Sequence, residues 1–594
     1  KQITDTPERE RKVDFRNDGR ALVYDSERNG VWSIFQTELV LKEENRFAYS
    51  TELKEERLTD GVTTSFQPLY SPDGKQVAYL ENRTAIRVMN LKSGKSHIVM
   101  DGKYAYSYSD GDQYFTWSPD SKWLLADYIG TAGWCIGDVA LLRADGKAAP
   151  VNLTQSGYSD GHPRWVMDGR AMIFASDRAG YRSHGSWGAE QDVYIMFFDP
   201  EAYEEFRMNK EELALWRAER DNKKKEAKKD SAENATKELT FELSNLDART
   251  IRLTMGSTRL SDAVMNREGT KLYYLAPFNG NMALWIRDIK EGRNEMKLPS
   301  ISAGGLSIDA ACKTCYFSGA GGSIQKLDLA SAQVKTIPFE TFTNTRPAQT
   351  MSYYFEHMWR QTKEKLYDPG MNGADWDRLY TTYRRYLPHI NNGYDFSEMA
   401  SELLGELNVS HTGGRYRPAP SGYATASLGL LYDMSYDGKG LKVDEVVEGS
   451  PFDHSRSKMA AGVIIEKIDG VEIKADTDYN LLLNDKSRKK TLVSLYHPQT
   501  KERWEEVVLP IGNSAFNGLL YNRWVKQRAA DVERWSNGRL GYVHIESMDD
   551  GSFRGVYSDI LGKYNHCDGS VFPALVLSFD SIITNNDVVN QCYP

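Results

Sequence analysis

The chain has 594 residues, 40% of them hydrophobic and 26% charged, which is too many for a single core and ordinary usage for a soluble protein of three or four domains. A net charge of −9 and a pI near 5.7 argue against a nucleic-acid partner, whose binder would normally show a basic face. No apolar run approaches the roughly 20 residues of a membrane span, so no membrane span is expected.

Lys1-Gln2-Ile3-Thr4 is not a signal peptide, and the chain opens as a processed or cut protein would. Residues 1–340 then repeat one design: an apolar strand, a polar turn, and a second strand rich in aromatic and β-branched residues. The turns are Asn17-Asp18-Gly19, Pro72-Asp73-Gly74, Pro119-Asp120-Ser121, Met167-Asp168-Gly169, Arg267-Glu268-Gly269 and a degenerate one near Asp309. A period of about 40 to 55 residues suits the four-stranded blades of a β-propeller rather than helical repeats. Six or seven blades are expected, with an axial channel leading toward the helical segment that follows. Entry in mid-pattern suggests a blade or an earlier propeller before Lys1. One interval is doubled by a charge-rich helical insertion at about 200–237, which reads as a solvated excursion whose deletion leaves the thermal transition nearly unchanged. Trp134, Trp187 and Trp216 read as packing residues.

Five cysteines are too few and scattered for a disulfide framework. Cys312 and Cys315 have CxxC spacing but no second pair to complete a zinc site, so they read as plain strand cysteines. No metal site and no cofactor is expected.

From 341 to 416 the strands give way to helices, with Met351, Tyr354, Phe355, Met358 and Trp359 along one apolar face and Trp376, Leu379, Tyr380, Tyr383 and Leu387 along another. Asp368-Pro369-Gly370 separates them. A further helix reads from Asp395 as N-cap, with Glu398 three residues on, through Phe396, Met399, Leu403, Leu404 and Leu407. Ser410 and His411 therefore fall on a glycine-bounded turn. A histidine that exchanges protons works best when a fixed element positions it and a neighbouring hydroxyl sets its tautomer. A lone histidine at a helix end is more often a dipole partner or a surface residue.

Residues 417–513 form a compact β-rich module containing Leu428-Gly429-Leu430, Leu441-Lys442-Val443 and the run Ile464 to Val471. Beyond it, Gly538 to Ile545 reads as a buried strand, followed by a helix from Ser552 to Lys563. The end, from Asn565 to Pro594, has no run of glycines and no further helix.

The run from Tyr353-Tyr354-Phe355 through Trp359, Lys363, Leu366-Tyr367-Asp368-Pro369, Trp376 and Leu387-Pro388 to Gly405-Glu406-Leu407-Asn408-Val409-Ser410-His411-Thr412-Gly413-Gly414 resembles the helical region of tricorn-type serine peptidases. These belong with the carboxyl-terminal processing peptidases. The resemblance implies a multidomain fold: a β-propeller over 1–340, a small helical segment over 341–416, a PDZ domain over 417–513, and the start of an α/β peptidase domain over 514–594. It implies a hydrolase of peptides or unfolded proteins, capable of forming a homo-oligomer. His411 would act as general base and then general acid, with Ser410 orienting it. Leu428, Gly429 and Leu430 would form the loop whose amides receive a peptide carboxylate, the peptide adding as a strand.

The family's glycine-rich turn and nucleophile elbow do not appear. Cys567-Asp568-Gly569 is the faint match to a nucleophile turn, and Ser570, Ser578 and Ser581 read as ordinary strand or turn residues. The nucleophile, oxyanion donors and acidic partner are expected beyond Pro594. The chain alone would then be inactive toward peptides and serine-directed probes, whether through truncation, an altered reading frame or a shortened chain. The alternative is a propeller–PDZ peptide-binding scaffold without turnover. Exported relatives incline the location toward the periplasm, with the cytoplasm as the alternative.

Overall fold

The computed structural model describes residues 1–6, 8–107, 109–130, 136–182, 189–227, 239–302, 304–309, 313–340, 346–418, 422–474, 476–547 and 549–571. The chain divides into two compact units, Lys1–Thr343 and Asn344–Pro594.

In the first unit the period-two alternation with punctuating turns produces six four-stranded antiparallel sheets, each a simple meander, spanning residues 9–57, 65–100, 115–152, 160–252, 262–298 and 304–337. These are propeller blades. The first five turns read from the sequence each join the first strand of a sheet to its second, and the degenerate one after Asp309 falls outside the described residues. Asp73 shows why aspartate suits these turns: its Oδ1 accepts from the Lys75 amide at 3.1 Å, and Gly74 supplies the left-handed backbone at φ 68°. Successive turns are tied together. Asn17 Nδ2 donates to the Pro72 carbonyl at 2.6 Å, the Asp73 amide donates to Ser121 Oγ at 3.0 Å, and Arg267 pairs with Asp168 at 2.8 Å.

Five buried clusters join neighbouring sheets, each pairing branched and aromatic residues from facing surfaces. The cluster between the first two contains Val23, Ile34, Tyr70 and Tyr79, and the one between the last two contains Leu275, Leu284, Phe317 and Leu327. Cys315 belongs to the latter, and burial pushes its thiol up to about 11, so it is an inert strand cysteine. Cys312, Trp134 and Trp187 lie outside the described residues. Among the described residues no buried cluster joins the sixth sheet to the first.

Polar staples cross the same five interfaces. The Asp25 carboxylate accepts from the Gln67 amide at 2.9 Å, Asp127 from the His162 amide at 2.9 Å, and Asp262 from the Leu306 amide at 2.7 Å. Gln67 Nε2 donates to the Gln113 carbonyl at 2.6 Å, and Arg164 pairs with Asp262 at 3.0 Å. Gln67 and His162 sit at β-bulges in the left-handed region, at φ 52° and 53°. Each precedes a proline, whose missing N–H costs the ladder nothing at a bulge.

The insertion differs from the solvated excursion expected. Helix α1 (Pro200–Arg207) is N-capped by Asp199 and buries Ala202 and Phe206 in the cluster between the fourth and fifth sheets. Its buried Glu205 faces Arg170 at 3.2 Å, Arg217 at 3.5 Å and Arg220 at 3.8 Å. Lys290 Nζ donates to the Glu205, Phe206 and Met208 carbonyls at 3.2, 2.7 and 2.9 Å, satisfying the helix's open C-terminus. Helix α2 (Lys210–Ala227) buries Leu213, and Trp216 carries Arg220 over its ring at 4.8 Å. After the insertion Phe241 packs on Trp123, Trp165 and Phe198. Among its described residues the insertion buries three apolar side chains, Ala202, Phe206 and Leu213, while most of the start of α2 is exposed.

The second unit begins with helices α3 (Pro347–Lys365), α4 (Trp376–Arg384) and α5 (Gly393–Gly405). A six-stranded sheet follows, in the order Leu430–Tyr432, Leu441–Val446, Ile464–Ile468, Thr491–Tyr496 and Arg503–Val508, with Val471–Glu472 beside the third. The short strands Ala426–Ser427 and Ile511–Gly512 pair separately. Helix α6 (Asn513–Ser536), which the sequence reading did not anticipate, crosses to strand Leu540–Tyr542. Helix α7 (Asp550–Ser558) then leads to strand Gly569–Val571, which runs parallel to Leu540–Tyr542, the start of an α/β layer. It is capped by Asp549 and starts two residues before the expected Ser552.

Two outcomes are expected of the first unit. Burial pushes the Asp25 carboxyl up to about 6 from its ordinary 3.8, so the folded chain holds that proton more tightly than the unfolded one. Its contribution is therefore greatest below pH 4 and falls as pH rises through 6, by up to about 3 kcal/mol. Asp25→Asn should flatten that part of the profile while keeping an acceptor for Gln67, whereas Asp25→Ala should flatten it too and, lacking the acceptor, lie about 1–3 kcal/mol below Asp25→Asn throughout. Urea melts between pH 4 and 7 distinguish them. Phe206→Ala should cost about 3 kcal/mol in the same melts, contrary to a dispensable insertion.

Candidate functional site

Helices α3, α4 and α5 converge on a core of Phe355, Met371, Trp376, Leu379, Met399, Leu403 and Leu407. Trp359 and Trp376 each donate an indole N–H to the other's backbone carbonyl at 3.0 Å, which fixes α3 against the start of α4. The first residue of α5 is set by Asn392 rather than by Asp395: Asn392 Oδ1 accepts from the Asp395 amide at 2.9 Å, and Asn392 Nδ2 donates to the Asp395 carboxylate at 2.7 Å. Asp395 is therefore the reciprocal partner of the cap, one turn inside the helix.

Past Gly405 the chain is pinned at three points. Asn372 Nδ2 donates to the Leu407 carbonyl at 3.0 Å, Thr412 Oγ1 to the Val409 carbonyl at 3.1 Å, and Ser401 Oγ both accepts from the Gly414 amide at 2.8 Å and donates to the Gly414 carbonyl at 3.0 Å. A Cβ at Gly414 would lie 3.0 Å from the Ser397 carbonyl, so the chain passes too close to α5 for a larger residue. Between these pins His411 adopts a left-handed conformation at φ 62°. That conformation costs a non-glycine residue on the order of 1 kcal/mol and persists only where the surroundings impose it. His411 and Ser410 are both exposed, and among the described residues no hydrogen bond joins either side chain to a partner or to the other. The arrangement presents an imidazole on a fixed stalk, free to meet a substrate or a nucleophile.

Leu428 and Leu430 are buried in the module core, and Gly429 between them is left-handed at φ 72°. The Gly429 amide donates to Ser427 Oγ at 3.0 Å, and its carbonyl accepts from the Val447 amide at 3.2 Å. Both backbone polar groups of Gly429 are thus engaged within the chain. In the last segment, the Cys567-Asp568-Gly569 turn is structural: Asp568 pairs with Arg539 at 2.7 Å, and the Asp568 amide donates to the Arg539 carbonyl at 2.9 Å. Ser570 lies on strand Gly569–Val571, while Ser578, Ser581 and Cys592 lie outside the described residues. Among the described residues no group of three or more His, Cys, Asp or Glu side chains is placed to hold a metal ion, and no helix is long and apolar enough to cross a membrane.

Residues 347–405, the helices that carry this turn, match the Tricorn protease C1 domain family. A tricorn-like protease C-terminal subunit of Sulfurisphaera tokodaii is 22% identical over 541 residues, covering 84% of this chain and 57% of its own length. A tricorn protease homolog of Saccharolobus solfataricus is 20% identical over 537 residues, covering 84% of this chain and 46% of its own. The crystal structure of the tricorn protease superposes with a TM-score of 0.68 at 16% identity, over 94% of this chain and 53% of that one. The chain is tricorn-like.

It spans about half the length of the curated relatives it matches. At these identities the likeness to the solved structure is one of fold. In this tricorn-like chain, Ser401, Asn372 and Thr412, which hold the His411 turn, went unread in the sequence. Ser401 offers one local signal, a hydroxyl on the helix that carries Met399 and Leu403. Ser401→Ala should cost about 1–2 kcal/mol and speed amide exchange across residues 408–414. Hydrogen–deuterium exchange reads this directly, and unchanged protection there would mean that the other two pins suffice.

Proposed function

We propose that the chain is part of a serine peptidase acting on peptides or unfolded proteins, with His411 as its general base. The observation that carries this reading is a histidine held in a left-handed turn by three independent hydrogen-bonded pins, with its ring left unengaged, directly after the helices that match the tricorn domain. A structural histidine would spend its ring nitrogens on partners. A base must keep one open for the hydroxyl it deprotonates.

In the proposed cycle, the His411 imidazole accepts the proton of an attacking serine as the oxygen bonds to the peptide carbonyl. The resulting imidazolium then gives that proton to the departing amine, and a water repeats the sequence to release the acyl group. Ser410 orients the ring, which requires its hydroxyl to turn toward a ring nitrogen once substrate is present. The nucleophile and oxyanion donors are not assigned among the described residues. The β-rich module is read as PDZ-type, with the Leu428-Gly429-Leu430 loop at the head of a groove where a peptide adds as a strand beside Leu430–Tyr432.

The test uses the protein as its gene encodes it. His411→Ala should lower kcat by about four orders of magnitude, abolish fluorophosphonate labelling of its serine, and leave the thermal transition within a degree or so of the parent. Hydrolysis that survives the substitution would remove His411 from the chemistry. Absence of hydrolysis and labelling in the parent would favour a binding scaffold.

A further inference from the structure

The PDZ-type module holds its own groove shut. Strand Leu430–Tyr432 lies at the edge of the six-stranded sheet, and among the described residues no strand pairs with its outer side. A peptide reading this edge needs two things: an open amide at the head of the strand for its carboxylate, and open space along the edge for its last side chains. Both are taken up from within the chain.

At the head, the Gly429 N–H is engaged by Ser427 Oγ at 3.0 Å. The loop cannot turn elsewhere to free it. Its neighbours Leu428 and Leu430 are locked in the core, and a Cβ at Gly429 would fall 2.4 Å from Ser450 Cβ, so the backbone lies flat against that residue. On the side of the strand that faces the module core, the ring of Tyr432 meets the ring of Tyr479 edge-on, with centroids 5.5 Å apart at 67°. Tyr479 begins the 3-10 turn Tyr479–Leu483, and both rings pack against the module core. The same turn is fastened at its far end. Thr425 Oγ1 donates to Asn484 Oδ1 at 2.7 Å, and the Asp485 amide donates to the Ala424 carbonyl at 2.8 Å.

We propose that Ser427 and the Tyr432–Tyr479 pair form an intramolecular cap that blocks carboxylate recognition by this module until Tyr479 moves aside. This rests on the PDZ-type reading above. A ligand able to bind only the uncapped form has its affinity reduced by the fraction of time the cap is open. Loss of either element should therefore raise affinity, since each removes part of what holds the closed form.

The probe is a fluorescein-labelled decapeptide with an apolar C-terminal residue, compared as free acid and as amide by anisotropy on the full chain. Tyr479→Ala and Ser427→Ala should each tighten the acid form about tenfold and leave the amide unchanged. Ser427→Ala alters no packing, so it carries the test if Tyr479→Ala melts early. If the parent chain already binds the acid as tightly as both variants, the cap is refuted while the groove stands. If neither parent nor variants distinguish acid from amide, the groove reading fails and takes the cap with it.

Discussion

An aspartate, buried or half-buried, that accepts an amide from the neighbouring sheet is the contact on which the first unit depends. Burial clusters are non-directional and would tolerate sheets sliding over one another. The carboxylate at Asp25, Asp127 or Asp262 fixes the register because it reaches one particular N–H, and at Gln67 and His162 that N–H is aimed by a bulge. Desolvation is the cost, visible in the raised carboxyls of Asp25 and Asp127. A carboxylate that accepts an amide and faces an arginine, as Asp25 does with Arg11 at 3.2 Å, keeps its geometry despite that cost.

The second unit uses the same device at smaller scale. Where the first unit spends side-chain oxygens on amides between sheets, the helices spend Asn372, Ser401 and Thr412 on the backbone around His411. The imidazole is left over because the turn needs nothing from it. In the module, Ser427 does the opposite and occupies a backbone donor that a ligand would use.

The hairpin turns were legible in the sequence because Asp-Gly chemistry is local: the side chain bonds an amide two residues on, and the glycine takes the positive φ. Apolar spacing likewise marked α5 and the face of Leu379, Tyr380 and Tyr383. The staples were not legible, since Asp25 and Asp127 each follow an apolar run, Ala21 to Tyr24 and Trp123 to Ala126, where a carboxylate reads as the end of the buried stretch. Only the adjoining sheet shows that Asp25 is buried and that Asp127 accepts the His162 amide. The α5 cap was misplaced by three residues because Asn392 and Asp395 are both good caps, and their mutual hydrogen bond decides which is outside. Helix α6 escaped notice because none of its residues is fully buried, so its apolar positions, Leu519 to Trp535, describe no narrow stripe. His411 was legible as a candidate; of the pins around its turn, Thr412 is its immediate neighbour, Ser401 reaches in from α5 and Asn372 from before α4, so two of them show only in the fold.

Six sheets joined by five clusters make the first unit a row with two ends, among the described residues, rather than a uniform ring. An interior sheet is held on both faces and an end sheet on one, so resistance to opening is graded along the row, as in a linear repeat array. Both end sheets leave apolar side chains in solvent, Val13 and Phe15 on the first and Tyr316, Ile324 and Val334 on the sixth. Unfolding therefore starts from an end of the row, at residues 9–57 or 304–337, before it reaches the sheets between.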